Sequence, residues 1–382
     1  MNSIERVDLT LNHKEPDRIP FDLGGTELTS IHHLAYQNLR RYLGMPEIEI
    51  RIATVMEQLA VVDEDVSERL YTDFRPVVPG TPASFTYVFR DEGSYTTFVD
   101  EWGIGWRKPK QGGFYFDMVT HPLASAESLS ELKAYTLPDP SDDSRFSSLE
   151  KQAVEIIKRE KAGILVGPSA GLAEMYSWLR GYENFYIDLA INHDFLHYML
   201  DKLVDFKLAY WTRALKEIGN LVKVVIEADD LASQNSLLMS TETYRSVIKP
   251  HQKRLFSGIK RIAPVKIFYH SCGAIRPLVG DLIDVGIDIL NPVQISATGM
   301  NLPELKKEFG RDLVFWGGGV DTQRVLGTGK PHEVKANVQK NIEALAPGGG
   351  FVFAAVHDIQ PNVPPENIMA MWEAWQEFGV RK

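Results

Sequence analysis

His270 and Cys272 stand two residues apart at the end of the β-branched and aromatic run Val265-Lys266-Ile267-Phe268-Tyr269. Side chains at that spacing on a strand point the same way, so an imidazole and the chain's single thiol would share one face. Such a pair suits a borderline-soft ion, and zinc is the first candidate. Two ligands do not make a site, and a third donor is available. His357 ends another apolar run, Phe351-Val352-Phe353-Ala354-Ala355-Val356, and completes a His2Cys set. Three protein ligands with an open position describe a catalytic zinc site rather than a structural one. Glu227 and Asp229 end a third run, and either would fill the fourth position or act as a general base. The plainer alternatives are a buried histidine beside an inert cysteine, a satisfied rim histidine and a solvated acidic loop.

Those three runs belong to a longer rhythm. From residue 150 onward, helical patterns alternate with short strand patterns at 163–167, 222–228, 265–270, 288–291, 313–316 and 351–356. The earlier runs 18–25 and 72–77 bring the number of strands to eight. An α/β fold follows, a closed (β/α)8 TIM barrel forming a single domain over residues 1–382. A doubly wound open sheet is the runner-up, weakened by the lack of a Gly-x-Gly-x-x-Gly turn or a Walker-type loop. Residues 80–121 break the rhythm with short aromatic runs punctuated by glycine and charge, which predicts a small antiparallel hairpin insertion. Residues 1–16, 31–43 and 55–70 read as helices.

In such a barrel the C-terminal strand ends carry the chemistry. They deliver Asp22 after the first strand, and Glu227, Asp229 and Asp230 at the end of the fourth, with Gln234 and Asn235 just beyond. The fifth brings His270 and Cys272, the sixth Asn291 and Gln294, the seventh Trp316 and Asp321, and the eighth His357 with Asp358 and Gln360. Asp22, Gln234, Asn235, Gln294, Trp316 and Asp321 are therefore candidate substrate-binding residues. Keeping the helix-facing sides apolar turns Phe268, His270 and Cys272 inward. It also turns Phe351, Phe353 and Ala355 inward with His357, and Glu227 and Asp229 inward with Val224, Ile226 and Ala228 outward. Gly317-Gly318-Gly319 reads equally as an anion-binding loop or a tight turn. Trp102, Trp106, Tyr115, Tyr176 and Trp178 would either wall an aromatic pocket or fill core.

Composition sets outer bounds. The 382 residues carry a formal charge of −10 with no long basic run, which argues against nucleic acid or an anionic membrane as partner. No uninterrupted apolar stretch of about 18 residues occurs, and a single cysteine excludes an internal disulfide, so a reducing cytoplasm is the expected setting.

His270-Ser271-Cys272-Gly273, the segment from His357 through Pro361-Asn362-Val363-Pro364-Pro365-Glu366-Asn367, and the opening Asn12-His13-Lys14-Glu15-Pro16-Asp17-Arg18-Ile19-Pro20 resemble the uroporphyrinogen decarboxylase superfamily. The resemblance covers essentially the whole chain and implies a (β/α)8 barrel. The true decarboxylases hold their tetrapyrrole with an arginine-rich Arg-Gln-Ala-Gly-Arg segment, whereas Pro20-Phe21-Asp22-Leu23-Gly24-Gly25 here has neither arginine. The chain is more similar to the corrinoid-linked branch, the methylcobamide:thiol methyltransferases and related demethylases. In the thiol methyltransferases a His-x-Cys and a later cysteine bind zinc; His270 and Cys272 match the first two, and His357 stands at the third. The resemblance thus implies a zinc-dependent methyltransferase working with a corrinoid protein. The histidine points away from coenzyme M and towards an oxygen-bearing donor, that is, O-demethylation. Tetrapyrrole decarboxylation or a catalytically silent barrel are the alternatives, and a homodimer is compatible with each.

Overall fold

Seven parallel strands, none longer than five residues, curl into one sheet in which each lies beside the next in sequence. They are β1 (Phe74–Val77), β2 (Ala162–Leu165), β3 (Val224–Ala228), β4 (Lys266–His270), β5 (Ile289–Asn291), β6 (Val314–Trp316) and β7 (Phe351–Val352). The computed structural model describes residues 1–381.

The expected first strand is a stitch rather than a ladder. Asp22 N–H donates to the Phe353 carbonyl and Phe353 N–H to the Pro20 carbonyl, each at 2.9 Å; on the other side Asp73 N–H donates to the Phe21 carbonyl at 2.9 Å. Residues 20–22 therefore close the gap between β7 and β1. Proline at position 20 has no N–H to give, which keeps the pairing to a single bridge, Phe21 with Phe353. The outcome is the expected α/β TIM barrel.

Both faces of the barrel strands are apolar, as parallel strands sandwiched between an interior and a helical shell must be. Ala162, Ile164, Val224, Ile226, Phe268, Ile289, Val314, Trp316, Val352 and Ala354 fill the interior, with Val7 and Leu11 of the helix Ser3–Leu11 packed against them. Val225, Ile267, Tyr269, Leu290, Phe315, Phe351 and Phe353 pack outward with the helices. This corrects two of the three expected strand orientations. On β3 and β7 it is Val224, Ile226, Val352 and Ala354 that point inward, while Phe351, Phe353 and Glu227 point out. An apolar face cannot tell inside from outside when both sides are buried. Only β4, with Phe268 and His270 inward, lies as expected.

Residues 80–121 contain the expected insertion, a four-stranded antiparallel sheet of Arg90–Glu92, Tyr95–Val99, Gly105–Pro109 and Asp117–Thr120. Residues 85–89 add rings rather than a strand: Tyr87 and Phe89 pack edge-on to Phe98 at 5.5 and 5.4 Å. The loop before the last strand reaches the barrel, where Phe116 N–H donates to the Met56 carbonyl at 2.9 Å and the Tyr115 hydroxyl meets Gln360. The helix expected over 55–70 is instead a hairpin, Ile52–Thr54 with Leu59–Ala60, followed by the short helix Glu64–Arg69. That over 1–16 is Ser3–Leu11, started by reciprocal Asn2–Glu5 capping. No helix among the described residues is long and apolar enough to cross a membrane.

Candidate metal centre

Three side chains meet at the C-terminal mouth of the barrel. One donor atom from each of His270, Cys272 and His357 lies within 4.8 Å of the other two. His270 ends β4, and Cys272 follows on the same face, with its Sγ 3.4 Å from His270 Nε2. A nitrogen and a sulfur on one tetrahedral zinc would be about 3.6 Å apart, so this edge is already at ligand spacing. His357 arrives differently. Its strand ends at Val352, and the chain bends at Val356 and His357, which aims the ring into the mouth although the parity of β7 is the reverse of that expected. The two imidazole rings stand edge to face, 5.7 Å apart.

The neighbours decide which nitrogen is free. Asn291, fully buried at the end of β5, donates from Nδ2 to the Trp316 carbonyl at 3.0 Å, so its Oδ1 faces His270 Nδ1 at 2.6 Å. That carbonyl oxygen needs an N–H, which places the proton on Nδ1 and the Nε2 lone pair towards Cys272. His357 Nδ1 accepts from Asp358 N–H at 2.8 Å. A neutral imidazole has one lone pair, so ligation by His357 would require it to surrender that contact or turn the ring. Burial lowers the pKa of both histidines and keeps them neutral. Burial, then the neighbouring acids Asp230, Glu174 and Asp358, push the Cys272 thiol well above its usual value. Two imidazole nitrogens and a thiol facing acidic side chains form a donor set that a cation would stabilise as it takes the thiol's proton, and nitrogen and sulfur donors of this kind fit a zinc ion.

Of the three acids expected at the end of β3, only Asp230 stands at this mouth. Glu227 points away from it, accepting from Lys207 Nζ at 2.8 Å and Trp211 Nε1 at 2.6 Å on the helix His193–Ile218. Asp229 accepts from the backbone N–H groups of Leu172, Ala173 and Glu174, and from Gln252 Nε2. Neither reaches the triad. The expected parity of β3 was reversed, and the bland reading as an acidic loop fails as well, since both groups are buried and fully paired. Asp230, expected at the same strand end, stands where Glu227 and Asp229 do not: its Oδ1 accepts from Cys272 N–H at 2.8 Å and lies 3.9 Å from His270 Nε2. Glu174, on the first turn of the helix Leu172–Arg180, is held well above the ordinary carboxylate pKa by burial, then by Asp230 and Asp229. Burial raises Glu57 and, well above the usual range, Asp358; it raises Glu27 to about 7.

The expected substrate residues divide. Asp22 accepts from Gly25 N–H, the Thr29 hydroxyl and Trp316 Nε1 (2.9 Å), and burial raises it to about 6. Trp316 packs on Phe74 and Phe268, so this pair belongs to the barrel interior. Gln294 accepts from Gly273 N–H at 2.6 Å and donates to Gln234 at 2.9 Å, a brace for the loop carrying Cys272. Asn235 is exposed, and Asp321 caps the turn at Gln323 and Arg324. Gly317-Gly318-Gly319 is a tight turn, with φ of +87° and +79° at its first two residues. Of the aromatic candidates, Trp102, Trp106 and Tyr176 are core, Trp178 packs edge-on to Trp106, and Tyr115 alone reaches the post-β7 segment. Glu174 went unseen in the sequence because it lies on a helix, three residues past Gly171, where no strand end pointed to it.

Comparison with known proteins bears on this architecture. A methyltransferase from Methanosarcina mazei has a similar fold, covering 99% of each chain with a TM-score of 0.66 at 19% identity. The uroporphyrinogen decarboxylase of Alkalilimnicola ehrlichii is 24% identical over 295 residues, 75% of this chain and 74% of its own. That of Pseudoalteromonas translucida is 26% identical over 281 residues, 70% and 75% of the two chains. The family pattern described as uroporphyrinogen decarboxylase (URO-D) matches residues 113–378, a span that takes in β2 to β7 and all three donors, and the chain belongs to that family.

Proposed function

We propose that this barrel is a zinc-dependent methyltransferase that moves a methyl group between a small methylated substrate and a corrinoid carried by a partner protein. The observation that carries the reading is the convergence of His270, Cys272 and His357 within 4.8 Å at the barrel mouth. The fold shared with a methyltransferase supports it. The relatives named uroporphyrinogen decarboxylase supply the competing reading. A polyanionic tetrapyrrole needs paired cations to be desolvated, whereas the groups acting on Cys272 here are the acids Asp230, Glu174 and Asp358, none of them a cation.

His270, Cys272 and His357 would hold the zinc, which would supply Lewis acidity towards the heteroatom that carries the methyl group. Asn291 fixes the His270 ring and the lone pair it presents. Asp230 holds the Cys272 backbone and faces His270. Glu174, whose protonated form is favoured by burial and by the acids beside it, is the group to give a proton to the heteroatom as the methyl group departs and the bonding pair stays behind. In the reverse direction the same carboxylate takes that proton. In this reading these two acids take the role expected of Glu227 and Asp229, whose carboxylates are bound to other partners.

Metal analysis of the purified protein tests the reading, followed by methyl transfer to cob(I)alamin monitored by its absorbance change. About one zinc per chain and zinc-dependent transfer are expected. Cys272→Ser should abolish transfer, and Cys272→Ser with His357→Ala should strip the metal while leaving the barrel folded. Full zinc retention in the double variant, or robust metal-independent porphyrinogen decarboxylation, would overturn it.

A further inference from the structure

Asp229 lies next to Asp230 in the chain, yet its carboxylate touches none of the three donors. It is completely buried and collects four hydrogen bonds. Three come from the helix Leu172–Arg180: Leu172 N–H at 3.1 Å and Ala173 N–H at 3.2 Å to Oδ2, and Glu174 N–H at 2.7 Å to Oδ1. These are the unpaired amides that every helix leaves at its start. A buried carboxylate on them is a strong partner, because charge and helix dipole act together. The helix lacks a capping side chain of its own; its N-cap is Gly171. A Cβ at Gly171 would sit well inside contact distance of the Ala228 carbonyl and the Asp229 carboxyl, so helix and strand end meet with no side chain between them.

The fourth bond ties the same carboxylate to β4. Gln252 Nε2 is shared between Asp229 Oδ2 at 3.0 Å and the Tyr269 hydroxyl at 2.8 Å. Its Oε1 is taken by the Tyr244 hydroxyl at 2.7 Å, which sets the amide orientation. The backbone of Asp229 is bound as well, its N–H donating to the His270 carbonyl at 2.9 Å. One residue thus joins the strand that delivers His270, the helix that delivers Glu174 and the corner that delivers Asp230.

We propose that Asp229 is the positioning residue of this centre, setting Glu174 and Asp230 against the His270–Cys272–His357 triad without touching substrate or metal. The proposal rests on the methyltransferase reading for what the two acids do, but not for how they are held. Asp229→Asn keeps the shape and turns one acceptor oxygen into a donor. Whichever way the amide faces, it then opposes an N–H of the helix or of Gln252. Gln252→Glu in that background restores an acceptor and a negative charge beside the same helix start.

The test compares wild type, Asp229→Asn and Asp229→Asn/Gln252→Glu by hydrogen–deuterium exchange and by methyl transfer to cob(I)alamin. In Asp229→Asn, exchange at Leu172, Ala173 and Glu174 should rise about tenfold or more. Zinc content should stay at the wild-type level. The maximal rate should fall by a similar factor with KM within about twofold, because the acids and not the binding surface have moved. The second-site change should recover a substantial part of both losses. Unchanged exchange at these three amides overturns the proposal, and so does a maximal rate within about twofold of wild type alongside raised exchange. If the wild type itself transfers no methyl group, the functional reading falls, and exchange with its second-site rescue alone decides the positioning role.

Discussion

Glu227 shows at the level of a single residue how much depends on where a carboxylate points. It is 2% exposed, and its partner Lys207 is fully buried, so the pair survives in the shell only because each charge has the other. Removing one member leaves an uncompensated buried charge, at about 3–5 kcal/mol, whereas replacing both with apolar groups is often nearly neutral. Glu227→Gln should therefore lower the stability to urea by that order while zinc content stays at wild type. Glu227→Leu with Lys207→Met should recover most of the loss. A variant that keeps full stability yet loses turnover would return Glu227 to the chemistry. The contrast with Asp230 is one of parity: a shift of a few residues separates a structural ion pair from an acid 3.9 Å from His270.

Among the elements, the junction of β3 with the helix Leu172–Arg180 is the tightest that bears on the site. Gly171 has an ordinary φ of −62°, so its requirement is space and not conformation. Gly171→Ala forces the helix from the strand end and should destabilise by about 1–3 kcal/mol or more, as overpacking does. Gly280 is a matched control, exposed in the helix Val279–Val285 with nothing near an added Cβ. Gly280→Ala should stabilise by up to about 1 kcal/mol through helix propensity. Thermal denaturation of the two variants reads both signs. Equal effects would show that the contact at Gly171 is not the constraint the geometry implies.

For the molecule as a whole, His32 is the point where barrel, hairpin and insertion meet. Its Nδ1 accepts from Leu34 N–H and its Nε2–H donates to the Phe114 carbonyl, both at 3.2 Å; its backbone N–H donates to Ile359 and its bridge partner is Leu59. A neutral ring satisfies both contacts, and burial lowers its pKa to about 4. The unfolded chain binds that proton near pH 6.5 and the folded one does not, so stability is lost as pH falls from about 6.5 through 4. Between pH 7 and 4.5 this amounts to about 2–3 kcal/mol. His32→Gln cannot titrate, so its loss in urea stability over that interval should be smaller than wild type by that amount. Identical losses would remove His32 from the acid response.

The alternation of strand and helix, the eight strand positions, the insertion near 80–121 and the trio His270, Cys272 and His357 were all legible in the sequence. Most rest on local information: hydrophobic period, turn residues or, for His270 and Cys272, donor types at a fixed spacing on one strand; His357 was legible only from its place after the last strand, since the parity that turned it inward was the reverse of the one observed. What the sequence left undetermined was orientation. On β3 and β7 both faces are apolar because both are buried, so periodicity carries no sign, and Glu227 and Asp229 were turned the wrong way. Glu174, Asn291's hold on His270, and the joining of helix and strand through Asp229 depend on contacts between elements dozens of residues apart. Those contacts are chosen by packing and by the need to pair every buried polar group, and only the closed barrel brings them together.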